Sequence, residues 1–258
     1  RVLPYVLSVF LLFISGCSPA FIYHHHPEFA ETYFLNKSLK AEKAAEQNPA
    51  DIGGLVKACS LMTMYRYGFT MEAADRLIEE DYPSGKMKYR EAHMDFIKAF
   101  QFGEKALEKK HSWFSDWFSG DMDTVPYFDL QDVPILYWTG AALGGAISSS
   151  RGNPKWVIQL PGVGKLFESA LALNPNWNAG ALYSAMISFS MSRSDLGDSA
   201  AEVAGEFLSS ANKASGGFHA GAQLTFAETV LVKSQNKDAF LISVNAVLNK
   251  ERQMKSPM

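Results

Sequence analysis

The stretch from Asp129 to Pro175 constrains the fold more than any other, because it predicts two successive helices that form a hairpin. Asp132-Val133-Pro134 supplies a helix start, since Asp is a good N-cap and Pro suits the first turn. Apolar and small residues then continue to Ile147, and Gly152-Asn153-Pro154 interrupts them. A second helix is expected over about residues 159–173.

The end of that second helix carries a repeat signature. Phe167-x-x-Ala170-x-x-Leu173-Asn174-Pro175 is how the second helix of a tetratricopeptide repeat closes. Four sites have two small residues seven apart: Ala99 and Ala106, Val163 and Ala170, Ala204 and Ala211, Ala239 and Ala246. Only the last two sites are separated by roughly the usual repeat of about 34 residues. We therefore predict an all-α fold, a right-handed solenoid of tetratricopeptide-like helical hairpins with insertions.

The rest of the chain from residue 28 onward is also predicted to be helical. Apolar residues recur at steps of three or four over 28–47, 52–77 and 86–110, which is the pattern of amphipathic helices. Four further helices are expected at the following positions: 178–192, 199–213, 218–233 and 238–250. No stretch alternates with period two for long enough to predict a sheet. Residues 28–258 are therefore expected to form one helical domain.

The first 17 residues have the pattern of a lipoprotein leader. Val6 to Phe13 is an apolar run too short to span a bilayer, as in the core of a signal peptide. Ile14-Ser15-Gly16-Cys17 follows and resembles the lipobox of bacterial lipoproteins. The resemblance implies that residues 1–16 are removed and that acylated Cys17 anchors the protein in a lipid bilayer. The alternative is an ordinary signal peptide with an incidental Cys.

Residues 17–27 are interpreted as a tether. Ser18, rather than Asp, follows the Cys, which favours the outer membrane. His24-His25-His26 lies in the tether, but three consecutive His cannot all point at one ion and no HExxH or Cys/His spacing accompanies them. We predict no metal site there. Cys59 lies among apolar residues and is interpreted as a small buried hydrophobe.

Other chemistries lack their motifs. The net charge of −3 argues against nucleic acid as a partner. Gly162-Val163-Gly164-Lys165-Leu166 resembles a phosphate loop, but Gln159 stands where the motif needs Gly and Leu166 where it needs Ser or Thr. Ser, His and Asp show no triad spacing. Asp121-x-Asp123 lacks the Gly and Glu of a calcium loop. We therefore predict no catalytic residues, no cofactor and no enzyme.

The segment between Lys110 and Arg151 has an unusual composition. It contains no Lys or Arg, while Asp and aromatic residues accumulate. One interpretation is an insertion whose rings cover the edge of the solenoid, and the other is an aromatic groove or a docking surface for a partner. Adjacent helical residues point about 100° apart, so Tyr137 and Trp138 cannot both face one core. The candidate ligand- or partner-binding residues are Tyr137, Trp138, Trp113, Trp117 and Phe128.

The order of these segments resembles a known family. After the lipobox come Ala74-Asp75-Arg76-Leu77, Asp132-Val133-Pro134-Ile135-Leu136-Tyr137-Trp138, Leu160-Pro161 and Leu171-Ala172-Leu173-Asn174-Pro175. Over about residues 55–250 the chain resembles the T component associated with TRAP transporters, a family of tetratricopeptide-like lipoproteins. The string from Asp132 to Trp138 is the most specific part of the resemblance.

The resemblance implies a function and partners. It predicts a periplasm-facing accessory lipoprotein that binds the solute-binding subunit of a TRAP transporter for organic acids or hydrophobic ligands. It also raises the expectation of a homotrimer with ligand-sized channels. The alternative function is a general tetratricopeptide lipoprotein scaffold for envelope protein assembly.

Overall fold

The computed structural model describes residues 27–121 and 127–255, and all regular elements in these two ranges are helical. The all-α prediction is thus confirmed. The leader, Cys17 and the His-containing tether lie outside the described residues. The helices are α1 (Pro27–Gln47), α2 (Ile52–Tyr65), α3 (Glu72–Glu80), α4 (Tyr82–Lys110), α5 (Phe114–Ser119), α6 (Val133–Ser149), α7 (Pro154–Val157), α8 (Leu160–Leu173), α9 (Ala181–Ser192), α10 (Ala200–Ala214), α11 (Ala220–Phe226) and α12 (Lys237–Lys255).

Short irregular turns connect several of these helices. A π turn over Arg66–Met71 joins α2 to α3, and a second over Ala227–Leu231 follows α11. The 3-10 turns Leu130–Asp132 and Trp177–Gly180 lead into α6 and α9. The long helical stretch expected across Gly68 therefore exists, but it contains a π turn.

Consecutive helices pack against one another along most of the chain. α1 packs on α2, and the arm formed by α2 and α3 packs on α4. α6 lies at the centre, in contact with α2, α4 and α8, whereas α9 packs mainly on α10 and α11. Packing of consecutive helices is compatible with helical hairpins. The right-handed solenoid remains a prediction.

Glycines let α6 approach its neighbours closely. A Cβ on Gly145 would lie 2.5 Å from the nearest ring atoms of Phe96 in α4. A Cβ on Gly140 would lie 2.7 Å from the ring of Phe167 in α8. Each ring therefore occupies the space that a side chain on α6 would need, and this packing sets the distance between the helices.

Alanines at the predicted repeat sites are part of the same packing. We expected Ala106, Ala170 and Ala211 at close helix crossings, and all three are fully buried. Ala211 lies close to Gly180, whose Cβ position is 3.4 Å from the Ala211 Cα. The residues at three of the four predicted repeat sites are thus buried, whereas Ala239 and Ala246 at the fourth site are half-buried.

The connection between α8 and α9 is kinked. Asn178 and Ala179 both have left-handed backbone conformations, with φ values of 47° and 55°. Such conformations are uncommon for residues other than Gly and cost free energy. The helix predicted from residue 178 consequently starts at Ala181. The kink redirects the chain, so α9 makes less contact with α8 than with α10.

Two adjacent glycines of α6 offer a direct test of this packing. Gly145→Ala should lower the free energy of unfolding, because overpacking costs about 1–3 kcal/mol and outweighs the gain of about 0.5–1 kcal/mol that Ala brings to a helix interior. Gly144→Ala is the matched control, since the nearest atom to its Cβ would be the Tyr67 hydroxyl at 3.7 Å. Urea unfolding followed by circular dichroism measures both. Equal free energies of unfolding for the two variants would contradict the close approach of α6 to α4 at Gly145.

Candidate ligand-binding site

An open cavity of about 230 Å³ lies between α6, α8 and α9. Four aromatic residues, five serine and threonine residues and several aliphatic residues line it. The aromatic residues are Tyr67, Tyr137, Phe167 and Phe189. The serine and threonine residues are Ser148, Ser184, Ser188, Ser192 and Thr225. This combination of an apolar wall and a few hydrogen-bonding groups is typical of small-molecule sites.

The helices produce this cavity through their small residues and their divergence. α6 presents Ala141 and Gly144 to it, which leaves room beside the helix. α9 contributes Ser184, Ser188 and Ser192, which are four residues apart and therefore share one helix edge. α9 makes less contact with α8 than with α10, and α8 makes less contact with α9 than with α6, so the cavity lies beside the least closely packed of these helix pairs.

The first π turn brings Tyr67 to the cavity. Its hydroxyl donates a hydrogen bond to the Ala141 carbonyl at 3.2 Å, and its ring packs on Phe96 with centroids 4.8 Å apart. Although the residue is 42% exposed, its hydroxyl is turned toward α6, and loss of hydration raises the pKa of Tyr67. Burial also raises the pKa of Tyr137. Both phenols are therefore neutral hydrogen-bonding groups at physiological pH.

The cavity has no charged wall. Among the residues that the structure describes, no Asp, Glu, Lys, Arg or His lines it. The Ser184 and Thr225 hydroxyl oxygens lie 3.3 Å apart, and the Ser192 hydroxyl donates to the Ser188 carbonyl at 2.9 Å. A buried carboxylate without a cation would be strongly disfavoured. The lining therefore suits an uncharged ligand that is mainly apolar.

Tyr137 and Trp138 face different surroundings. The Tyr137 ring lies against Trp177 and Phe167, with centroid distances of 4.7 and 6.0 Å, and lines the cavity. Trp138 instead packs on the cluster that contains buried Cys59, on the side of α2 and α4. The two rings contact each other edge to face, with centroids 4.9 Å apart, but only Tyr137 lines the cavity.

Trp113, Trp117 and Phe128 form a second aromatic group, separate from the cavity. Phe128 lies at the centre, with ring centroids 5.0 Å from Trp113, 5.1 Å from Trp117 and 5.2 Å from His111. Trp117 and Phe128 are buried and Trp113 is half-buried against the main core. Trp117 and Phe128 also line a separate groove beside Lys165 and Glu168. The five predicted site residues are therefore divided among three places. Tyr137 lines the cavity, Trp138 packs on the cluster that contains Cys59, and the other three form this second aromatic group.

Asp132 holds the second aromatic group in position. Its carboxylate is fully buried, with Oδ1 2.6 Å from Lys110 Nζ and Oδ2 3.0 Å from His111 Nε2. Oδ2 also accepts the Asp129 backbone N–H at 2.8 Å. The sequence predicted Asp132 as the N-cap of α6, but the side chain makes no capping hydrogen bond to that helix. Lys110 and His111, at the end of α4, contact the carboxylate instead.

The charge on Asp132 is stabilised by this arrangement. Burial favours the neutral acid, but hydrogen bonds from Lys110, the Asp129 amide and His111 outweigh it and hold the pKa of Asp132 below its usual value. Because folding lowers this pKa, the carboxylate contributes stability above the ordinary Asp pKa of about 3.9. That contribution is lost as the pH falls through the folded-state pKa.

Some lining residues were not identified from the sequence. Tyr67 reaches the cavity through a π turn, which leaves no clear periodicity signal. Ser184, Ser188 and Ser192 did carry a signal, since Ser every four residues places hydroxyls on one edge of an otherwise apolar helix. Thr225 comes from a distant part of the chain, so only the tertiary fold reveals it.

Substitution of the buried carboxylate tests its role. Asp132→Asn should lower the free energy of unfolding at pH 7 by up to about 3 kcal/mol, because Lys110 and His111 lose their anionic partner. Asp129→Asn is the matched control: Asp129 is 48% exposed, and a change within about 0.5 kcal/mol is expected. The difference in the free energy of unfolding between the wild type and Asp132→Asn, measured by urea unfolding, should become smaller below about pH 4. A difference that persists unchanged would contradict a charge-based role.

Comparison with known proteins identifies the family. None of the helices in the described ranges is both long and apolar enough to cross a membrane. A search of curated protein sequences returned no match. A family model described as TRAP transporter T-component matches residues 28–258, which is most of the chain. The chain therefore belongs to the TRAP transporter T-component family.

Proposed function

We propose that this protein is a membrane-anchored, periplasm-facing accessory component of a TRAP transporter. It binds the solute-binding subunit of that transporter and holds an uncharged, mainly apolar ligand in the cavity beside Tyr137. Family membership supports the role in a TRAP transporter. The observation that carries the ligand-binding part is the lining of the 230 Å³ cavity, which combines aromatic rings with neutral hydroxyls.

The lining favours a hydrophobic ligand over an organic acid. A carboxylate needs a cation or several directed N–H groups to offset its loss of hydration. Lys165 is the nearest candidate cation on α8, but its ammonium donates to the Trp117 and Phe118 carbonyls at 2.9 and 3.2 Å, at the end of α5. The serine hydroxyls can instead bind a single alcohol, ketone or amide group on an otherwise apolar molecule.

The segment around the second aromatic group is the proposed docking surface for the solute-binding subunit. Tyr127 is 82% exposed and Leu130 is 64% exposed, next to the exposed Asp129. Asp116 and Asp121 are exposed nearby in the sequence. An exposed aromatic and aliphatic pair among acidic residues suits a partner surface that combines apolar and basic side chains. A homotrimer, as in the expectation from the family resemblance, remains part of the proposal.

The proposed anchor is acylated Cys17, with the outer membrane as its location. Radiolabelled palmitate should be incorporated into the wild-type protein. Cys17→Ala should abolish both this incorporation and the membrane association. The physical reason is that several acyl chains on one residue give durable anchoring. Label retained by Cys17→Ala would contradict the proposal.

Binding of the apolar fluorophore N-phenyl-1-naphthylamine tests the ligand site. Tyr137→Ala should weaken binding by about 1–3 kcal/mol, because it removes a ring from the cavity wall. Tyr137→Phe keeps the ring and should bind nearly as wild type does. Trp113→Ala is the control for loss of a ring outside the cavity, since Trp113 packs on Phe128 and does not line the cavity. Lack of binding by the wild type, or equal weakening by both Ala variants, would overturn the site.

Calorimetric titration with the solute-binding subunit encoded beside the same transporter tests the partner. Binding should be weakened by Leu130→Asp, which introduces charge at an exposed apolar position of the proposed docking surface. Ile242→Asp is the matched control, because Ile242 is 71% exposed on α12 and lies outside that surface, the cavity and the other pocket linings. Absence of binding by the wild type, or an equal effect of both substitutions, would contradict the proposed docking surface.

A further inference from the structure

A second open space adjoins the cavity. A groove of about 760 Å³ runs along α8 and the end of α9, and its wall includes Ile158, Pro161, Lys165 and Arg193. Unlike the cavity, it therefore has charged groups in its lining. Leu160, Phe189 and Ser192 line both spaces, so these residues form the partition between the cavity and the groove.

The ring of Phe189 closes the gap between α8 and α9. A Cβ on Gly164 of α8 would lie 2.5 Å from Cζ of this ring, so the ring tip is directed at the α8 backbone. Phe189 itself is only 7% exposed. Arg193 lies over the same ring, with its guanidinium carbon 5.7 Å from the ring centroid, and lines the groove. The ring is thus the main apolar barrier between the two spaces.

The positions of the helices suit a movable barrier. α8 and α9 are connected through the kink at Trp177–Gly180. Leu160 begins α8 and Ser192 ends α9, so both residues lie at the ends of their helices that are far from the kink. The two helices contact each other less than α8 contacts α6 or α9 contacts α10. Because the Phe189 ring borders open space on both sides, a change of rotamer can move it away from Gly164 into the cavity or the groove.

We propose that Phe189 is the gate through which an uncharged, mainly apolar ligand passes between the cavity and the groove. This inference rests on the proposed ligand-binding function, and it assigns a route of entry and exit to that same site. The closed gate separates the bound ligand from the groove, while the open gate connects the cavity to that groove at the protein surface. Because the Phe189 ring also lines the cavity, it contributes to affinity, and the rise in the association rate constant is what identifies the gate.

Stopped-flow kinetics with N-phenyl-1-naphthylamine test the gate. Phe189→Ala should raise the association rate constant by about tenfold, which corresponds to a barrier lower by about 1.4 kcal/mol. The dissociation rate constant should rise by at least as much, because the variant also loses a ring of the cavity wall. Leu160→Ala, on the α8 side of the same partition, should raise both rates to a smaller extent.

Phe118→Ala is the matched control. The Phe118 ring also lies against a glycine of α8, since a Cβ on Gly162 would be 2.7 Å from its Cζ. It lines neither the cavity nor the groove. Its loss should therefore reduce packing in a comparable way and leave both rate constants unchanged.

The outcomes separate the gate from the binding site. Binding of the fluorophore by the wild type, together with an unchanged association rate constant in Phe189→Ala, overturns the gate alone, as does an equal rise in that rate constant in Phe118→Ala. If the wild type does not bind the fluorophore, the proposed ligand site is wrong and the gate falls with it. Circular dichroism establishes that each variant is folded, and if Phe189→Ala is not, Phe189→Leu replaces it with the same expected direction.

Discussion

The close approach of α6 to α4 and α8 is the constraint on which the rest of the structure depends. Gly145 accepts the Phe96 ring and Gly140 accepts the Phe167 ring, so the central helix is fixed from two sides. The same ring-on-glycine packing recurs at α8, where Gly162 and Gly164 meet Phe118 and Phe189. Precise spacing of helices at these crossings leaves the cavity where side chains are small and helices diverge.

Polar interactions place the aromatic segment independently of that crossing. Asp132 joins the end of α4, through Lys110 and His111, to the turn that starts α6. This buried carboxylate orders the group around Phe128, whereas the cavity beside Tyr137 depends on apolar packing. The division gives the protein two surfaces with different chemistry: the uncharged cavity, which we propose holds a ligand, and the acidic, aromatic segment, which we propose contacts a partner.

Much of the helical framework could be predicted from local patterns, but the site could be predicted only in part. Apolar residues at steps of three or four and the helix start at Asp132-Val133-Pro134 predicted the helices. The angle of about 100° between adjacent helical residues predicted that Tyr137 and Trp138 would not both face one core. The left-handed residues at 178–179 and the π turn that carries Tyr67 lack such signals, since both arise where tertiary packing overrides local preference. The true role of Asp132 likewise depends on partners about 20 residues away in sequence.

Mass spectrometry of small molecules released from the purified protein tests the central claim most directly. The protein would be isolated from its native membrane and then unfolded, with a Ser188→Trp variant, which fills the cavity, treated in parallel. We expect the wild type to release up to one equivalent of a compound that is uncharged at neutral pH, and we expect the variant to release none. A bound carboxylate, or the same compound in equal amount on Ser188→Trp, would contradict it.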